Sequence, residues 1–157
     1  MTKTSEYNES MKMRMGQASR QGYIVIAPEW AQTKQRKYGY SALENASVLS
    51  SLRDAYQRFS IDTDRVFLSG HGMGGDAVWD IALAHPDLWA GVIPISAVAG
   101  YQGKASPNYV SRYWENAKQV SFYFVGGSFD KAKMDVNVPE VNRYLRNSGC
   151  HTSIVEY

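Results

Sequence analysis

One cysteine, Cys150, occurs in the 157 residues, so an internal disulfide is excluded and the redox compartment stays unread. Histidine is nearly as scarce, with His71, His85 and His151 the full set. None of them sits in a spacing such as H-E-x-x-H, and C-x-x-C is absent, so neither a metal nor another cofactor is expected. No sign of charge dominates: 17 Lys and Arg against 15 Asp and Glu leave a formal +2. The basic residues are scattered rather than clustered, the pattern of solvated faces and not of a nucleic-acid surface. Also missing is any run near the roughly 18 apolar residues of a membrane span. Residues 1–15 are polar and charged, without the apolar centre of a secretory signal. These absences predict a soluble chain with no nucleic-acid or membrane partner and no legible cellular address.

What is present is ordinary globular composition, 44% apolar and 20% charged, in a length that fits one domain, residues 1–157. Five short apolar, β-branched or aromatic runs occupy residues 23–27, 66–68, 91–96, 120–125 and 152–157. Most are continuously apolar, as parallel strands covered on both faces are. Helical signals fall between them. Ser41 and Glu44 make a capping box, followed by Leu49, Leu52, Tyr56 and Phe59 at spacings of three and four. Val78, Ile81, Ala82 and His85 keep a helical period that Pro86 ends. Pro139 suits a first helical turn, with Val141 and Leu145 continuing its stripe towards Gly149. Residues 101–113 hold Gly, Ser and Pro and read as a surface loop. Strand and helix in alternation predict an α/β fold: a three-layer sandwich around a mostly parallel sheet of about five strands.

The most informative stretch follows the second run: Leu68-Ser-Gly70-His-Gly72-Met-Gly74-Gly75-Asp76. A strand, a glycine-rich turn and a helix in that order match the frame G-x-S-x-G, with Gly72 where the pattern has serine. With its surroundings, this resembles the nucleophile elbow of serine hydrolases in the carboxylesterase, depolymerase and prolyl-oligopeptidase-like branch of the α/β-hydrolase fold. Residues 22–28 resemble that fold's fourth strand, with a helix over 7–20 before it. Residues 79–96 resemble the helix and strand after the elbow, and 122–130 the strand and turn presenting the acid of the triad. The resemblance implies Gly72 at the nucleophile position, Met73 as a backbone oxyanion donor and Asp130 as the acid. It also implies carboxylic-ester or peptide hydrolase lineage, with a small ester or peptide-like ligand as its partner.

The chemistry departs from that pattern. Acyl transfer needs an attacking atom, a base, an orienting acid and oxyanion donors. Gly72 has no side chain, and Ser69 lies off the exposed middle of the turn. The triad runs Ser, acid, His along the chain, and no histidine follows the last predicted strand. The family's third strand and its oxyanion loop have no counterpart ahead of residue 22. The expectation is therefore the central part of a hydrolase fold, catalytically silent as it stands. His71 is expected to be packed against a backbone carbonyl, His85 to lie near a helix end, and Cys150 to be an inert thiol.

Two other readings compete. The retained pocket could serve a non-catalytic binding protein, with Tyr101, Tyr109, Tyr113 and Trp114 as candidate lining residues. Alternatively, Gly70, Gly72 and Gly75 spell G-x-G-x-x-G, a dinucleotide fingerprint, but residues 97–101 after the next strand lack the acid that would hold the ribose. A sheet short of a covering helix would also expose an apolar face, which predicts a homodimer.

Overall fold

Four of the five apolar runs become the sheet. In the computed structural model, which describes residues 12, 15–98, 113–147 and 149–157, the strands are β1 (Phe67–His71), β2 (Gly91–Ile95), β3 (Ser121–Gly126) and β4 (Thr152–Glu156). All pairings are parallel and the spatial order is β1-β2-β3-β4. Register fixes Phe67 beside Gly91 and Gly91 beside Ser121, with Tyr123 beside Ser153. The long helices are α1 (Ala42–Arg58), α2 (Met73–Ala84) and α3 (Lys131–Val141). Strands and flanking helices form an α/β sandwich. Because strands follow one another in a single direction, right-handed crossovers put their connecting helices on one face.

That face is the core. Phe122 and Phe124 alternate with Ser121 and Tyr123 along β3 and point at α2, where Trp79 stacks on Phe122 at 5.2 Å and tilts over Phe124 at 6.1 Å. Seven consecutive residues of α2, from Ala77 to Leu83, are buried. A helix apolar all round is enclosed on both sides, and α1 supplies its outer cover through Leu52, with Val48 and Leu49 packed against the same cluster. Asp80 falls inside this sandwich and is satisfied there: the Tyr38 hydroxyl donates to it at 2.6 Å and the Asn45 amide at 3.2 Å. Burial above all, and then the bond and charge of Asp80, push the Tyr38 hydroxyl far above the ordinary phenol range, so it stays a donor. Glu44 is buried at the start of α1. Burial alone would raise its pKa, but donors from Ser41, Gln35 and Gly39 outweigh that and hold it below the usual range.

The capping box at Ser41 and Glu44 is formed as expected, and α2 stops at His85 ahead of Pro86, with the His85 N–H on the Ile81 carbonyl. Two expectations need correction. Residues 23–27 are not a strand, so among the described residues the sheet has four strands rather than about five. The Tyr23 N–H goes back to the Ala18 carbonyl at 3.0 Å, its ring stands edge-on to Phe67 at 5.9 Å, and Arg65 donates to its hydroxyl at 3.2 Å. Those contacts tie Tyr23 to the preceding helical residues, to Phe67 of β1 and to Arg65 just before that strand, and Ile24, Val25 and Ile26 remain exposed. Pro139, expected in a first turn, lies near the end of α3 instead. The helix starts directly after Asp130, set by the turn leaving β3. Without an N–H, Pro139 breaks the regular ladder, and the chain widens into a π turn over Asn142–Arg146, keeping Val141 and Leu145 buried. The expected helix over 7–20 is seen at residues 12 and 15–20, its other positions lying outside the described residues, as does the expected loop except for residue 113.

Replacing Tyr38 with Phe removes a buried donor from Asp80 without changing the ring. Leaving part of that carboxylate unsatisfied costs about 1–3 kcal/mol, read as a lower urea midpoint. An unchanged midpoint would show that Asp80 does not depend on this hydroxyl.

Candidate active site

The turn between β1 and α2 is built by three glycines with different duties. A Cβ on Gly70 would lie 2.2 Å from the Gly74 carbonyl oxygen, and one on Gly75 would lie 2.6 Å from the Ala97 Cβ. Both positions need glycine so that α2 can lie against the ends of β1 and β2. Gly72 is the opposite case. A Cβ there meets nothing within 4 Å, yet its backbone sits at φ 57°, ψ −120°, a conformation that L residues rarely adopt. The turn is locked: the Gly72 N–H donates to the Ile95 carbonyl at 2.9 Å, and its carbonyl accepts from Gly75 and Asp76 at 2.9 and 3.0 Å. A side chain at 72 would thus project into open space at the C-terminal end of the sheet. Met73 opens α2, so its N–H has no acceptor within the helix.

Asp130 ends the short turn Ser128–Asp130 after β3 and caps α3. It lies at the same end of the sheet as Gly72 but two strands away, about 10 Å by strand spacing. Its carboxylate is 3.8 Å from the Lys133 ammonium. Beside it Phe129 is fully exposed.

Between these two positions runs a set of polar contacts that the sequence reading missed. The Val98 N–H donates to Asp76 at 2.7 Å, Lys133 donates to the Ser96 carbonyl at 2.8 Å, and the Asn137 amide to the Ala97 carbonyl at 2.5 Å. Residues from α2 and α3 therefore hold one stretch of backbone after β2, where buried Ser96 takes φ 48°. Burial raises the pKa of Asp76, against the opposing pull of the Val98 N–H and of Lys133. The available signal was Lys133 with Asn137, four residues apart on one helix face.

The histidines do not gather here. His151, the only one after Asp130 in the chain, enters β4 at the opposite end of the sheet. His85 caps the far end of α2, about 18 Å along the helix from Met73. His71, expected to be packed, is exposed, because odd-numbered positions of β1 face away from the helices. Cys150 is buried, and burial pushes its thiol up, so little thiolate forms near neutral pH. Among the described residues no group of three His, Cys, Asp or Glu could hold a metal, and no helix is long and apolar enough to cross a membrane. Of the proposed pocket aromatics, Tyr101 and Tyr109 lie outside the described residues, Tyr113 is exposed, and Trp114 packs at 6.4 Å from Tyr144. For the dinucleotide fingerprint, β2 runs into Ser96, Ala97 and Val98, none of them acidic.

No protein-family model and no curated protein matches the chain. Solved structures do. A thermostable esterase superposes with a TM-score of 0.57 at 23% identity, over 70% of this chain and 27% of its own. An S-formylglutathione hydrolase from Staphylococcus aureus gives 0.57 at 19%, over 76% and 53%. A ferric enterobactin esterase from Salmonella typhimurium gives 0.60 at 16%, over 76% and 32%. The chain thus spans between about a quarter and a half of these proteins, and what it shares with them is the α/β-hydrolase fold.

The glycines predict an ordered series. Gly74→Ala, with nothing within 4 Å, should keep or slightly raise the unfolding midpoint, by up to about 1 kcal/mol. Gly72→Ala should cost about 1–3 kcal/mol through backbone strain alone, and Gly70→Ala should lose the fold. Circular dichroism with urea titration reads all three, and an unaffected Gly70→Ala would refute this geometry. For Asp76 the sign follows from linkage. A carboxyl whose folded pKa is raised above its unfolded value, about 3.9, contributes stability below that value and loses it as pH rises through the folded one. Asp76→Asn should therefore gain on the parent chain as pH climbs from about 4 towards neutrality. A stability gap that stays flat or narrows with pH would contradict it.

Proposed function

We propose that this chain carries the elbow-bearing core of a carboxylic-ester or peptide hydrolase lineage and does not itself run the covalent reaction. One observation carries the reading. The backbone at residue 72 has the positive φ and open surroundings of a turn that displays a side chain, and the residue there is glycine. Hydrolysis through an acyl-enzyme transfers the acyl group from the ester oxygen to an enzyme atom and then to water. At Gly72 there is no atom to accept it. Two further parts that such chemistry uses have candidates, the Met73 N–H at the start of α2 for a developing oxyanion and Asp130 after β3 as the orienting acid, while the base has none, His151 lying at the opposite end of the sheet.

The esterases and the S-formylglutathione hydrolase among the structural neighbours support an ester-like ligand class over the dinucleotide alternative. A purely binding role at the same turn is the second reading, favoured by the glycine itself and by the hydrogen bonds from Gly72 to Ile95, Gly75 and Asp76 that hold the turn.

The test is hydrolysis of 4-nitrophenyl acetate by the parent chain, with intact-mass spectrometry of the parent and of Gly72→Ser. The parent should release nitrophenol at the buffer rate and stay unmodified, and Gly72→Ser should stay unmodified too, because neither His85 nor His151 stands where it could take the serine proton. Turnover by the parent that disappears in Asp130→Ala would overturn the silent reading, since it would reveal a nucleophile or activated water that this geometry does not include.

A further inference from the structure

Resting on the reading of residue 72 as the ligand-facing end of a hydrolase core, we infer that Asp76 is a positioning residue for the elbow. Its carboxylate closes a ring of hydrogen bonds that fastens the turn at Gly72 to the backbone leaving β2. Three bonds make the ring. The Gly72 N–H donates to the Ile95 carbonyl at 2.9 Å, the Val98 N–H to Asp76 Oδ1 at 2.7 Å, and the Asp76 N–H to the Gly72 carbonyl at 3.0 Å. The N–H and the carbonyl of residue 72 are both held by it.

Every other member of the ring is backbone, which almost any residue would supply. Asp76 contributes the one side chain, so it is the position at which the sequence decides whether the ring closes. A carboxylate is costly to bury, and burial raises the pKa of this one. An exposed acid in the same turn would give α2 the same favourable charge at its start. Helix stability therefore does not account for an acid turned inwards, whereas the Val98 N–H does.

The far side of the ring is braced from α3. Lys133 donates to the Ser96 carbonyl at 2.8 Å and Asn137 to the Ala97 carbonyl at 2.5 Å, while the Ser96 N–H reaches the Val125 carbonyl at 2.8 Å. Ser96 is buried at φ 48°, a conformation that residues other than glycine keep only where their surroundings over-determine it. A Cβ on Gly75 would lie 2.6 Å from that of Ala97, so the first turn of α2 rests directly on this stretch. The elbow, the end of β2 and the helix that Asp130 begins are thus one bonded unit, and a loosened grip at Lys133 is felt at Gly72.

Amide hydrogen exchange of the full chain, resolved by residue with NMR, tests this in Asp76→Ala, Asp76→Asn, Lys133→Met and Tyr38→Phe. Asp76→Ala should quicken exchange at Gly72 and Val98 at least about tenfold more than at residues 78–83 in the middle of α2. Asp76→Asn keeps an acceptor oxygen and should restore the parent's ratio. Lys133→Met should move the same two amides in the same direction, and it carries the test if Asp76→Ala does not fold. Tyr38→Phe takes a bond from Asp80 on the same helix and should leave the ratio unchanged, which separates loss of the ring from general loss of stability. Exchange at Gly72 that quickens only in step with residues 78–83 in Asp76→Ala, or stays unchanged in Lys133→Met, overturns the inference. So does an Asn variant as loose as the Ala one, or a Tyr38→Phe chain that frees Gly72 equally. None of these readouts involves an ester, so such a failure leaves the hydrolase reading standing. Nitrophenol release by the parent that vanishes in Asp130→Ala overturns that reading alone.

Discussion

The rest of the molecule depends on how closely α2 approaches the ends of β1 and β2. That approach is a steric fact before it is anything else, resting on the missing Cβ atoms of Gly70 and Gly75 against the Gly74 carbonyl and Ala97. Once α2 lies at that depth, Trp79 reaches the phenyl rings of β3. Apolar residues on every side of α2 then demand a cover, which α1 provides. The same approach lifts residue 72 clear of its neighbours and aims the first amides of α2 into the space beyond the sheet.

Polar groups do the remaining fastening, and they work in two places. Tyr38, Asn45 and Asp80 join the chain before α1, α1 itself and α2 inside the apolar layer, where an unmet carboxylate would be costly. Asp76, Lys133 and Asn137 join α2 and α3 to the backbone leaving β2. Each cluster crosses between elements that apolar contact alone would leave free to slide. The second one also fixes the distance between the elbow and the turn that bears Asp130.

Much of this was legible in the sequence, for identifiable reasons. The capping box at Ser41 and the stop at Pro86 are local signals, decided within a few residues, and both stand as read. The apolar runs of β1 to β4 were visible because each is buried on at least its helix side. Residues 23–27 read the same way and are not a strand, because a strand is made by its neighbours and Tyr23 is engaged with Ala18, Arg65 and Phe67 instead. Pro139 misled because its preference for a first turn yields to a helix start imposed by the end of β3. At the site, Gly72 and Asp130 were placed by pattern, whereas the grip of Asp76, Lys133 and Asn137 on residues 96–98 joins positions far apart in sequence and leaves no periodic trace.

Gly72 is the residue before the first turn of α2, and it caps that helix with no side chain at all. Serine is a better helix cap than glycine, whereas glycine is the better tenant of a positive φ, so the two preferences oppose one another at a single position. The strain of a side chain at this φ, about 1–3 kcal/mol, outweighs the few tenths that a serine cap adds over glycine, so the fold itself favours glycine there. In evolutionary terms, a reactive hydroxyl at this turn is held against stability, and its loss is one downhill substitution. Regaining it costs strain but rebuilds nothing else in the core.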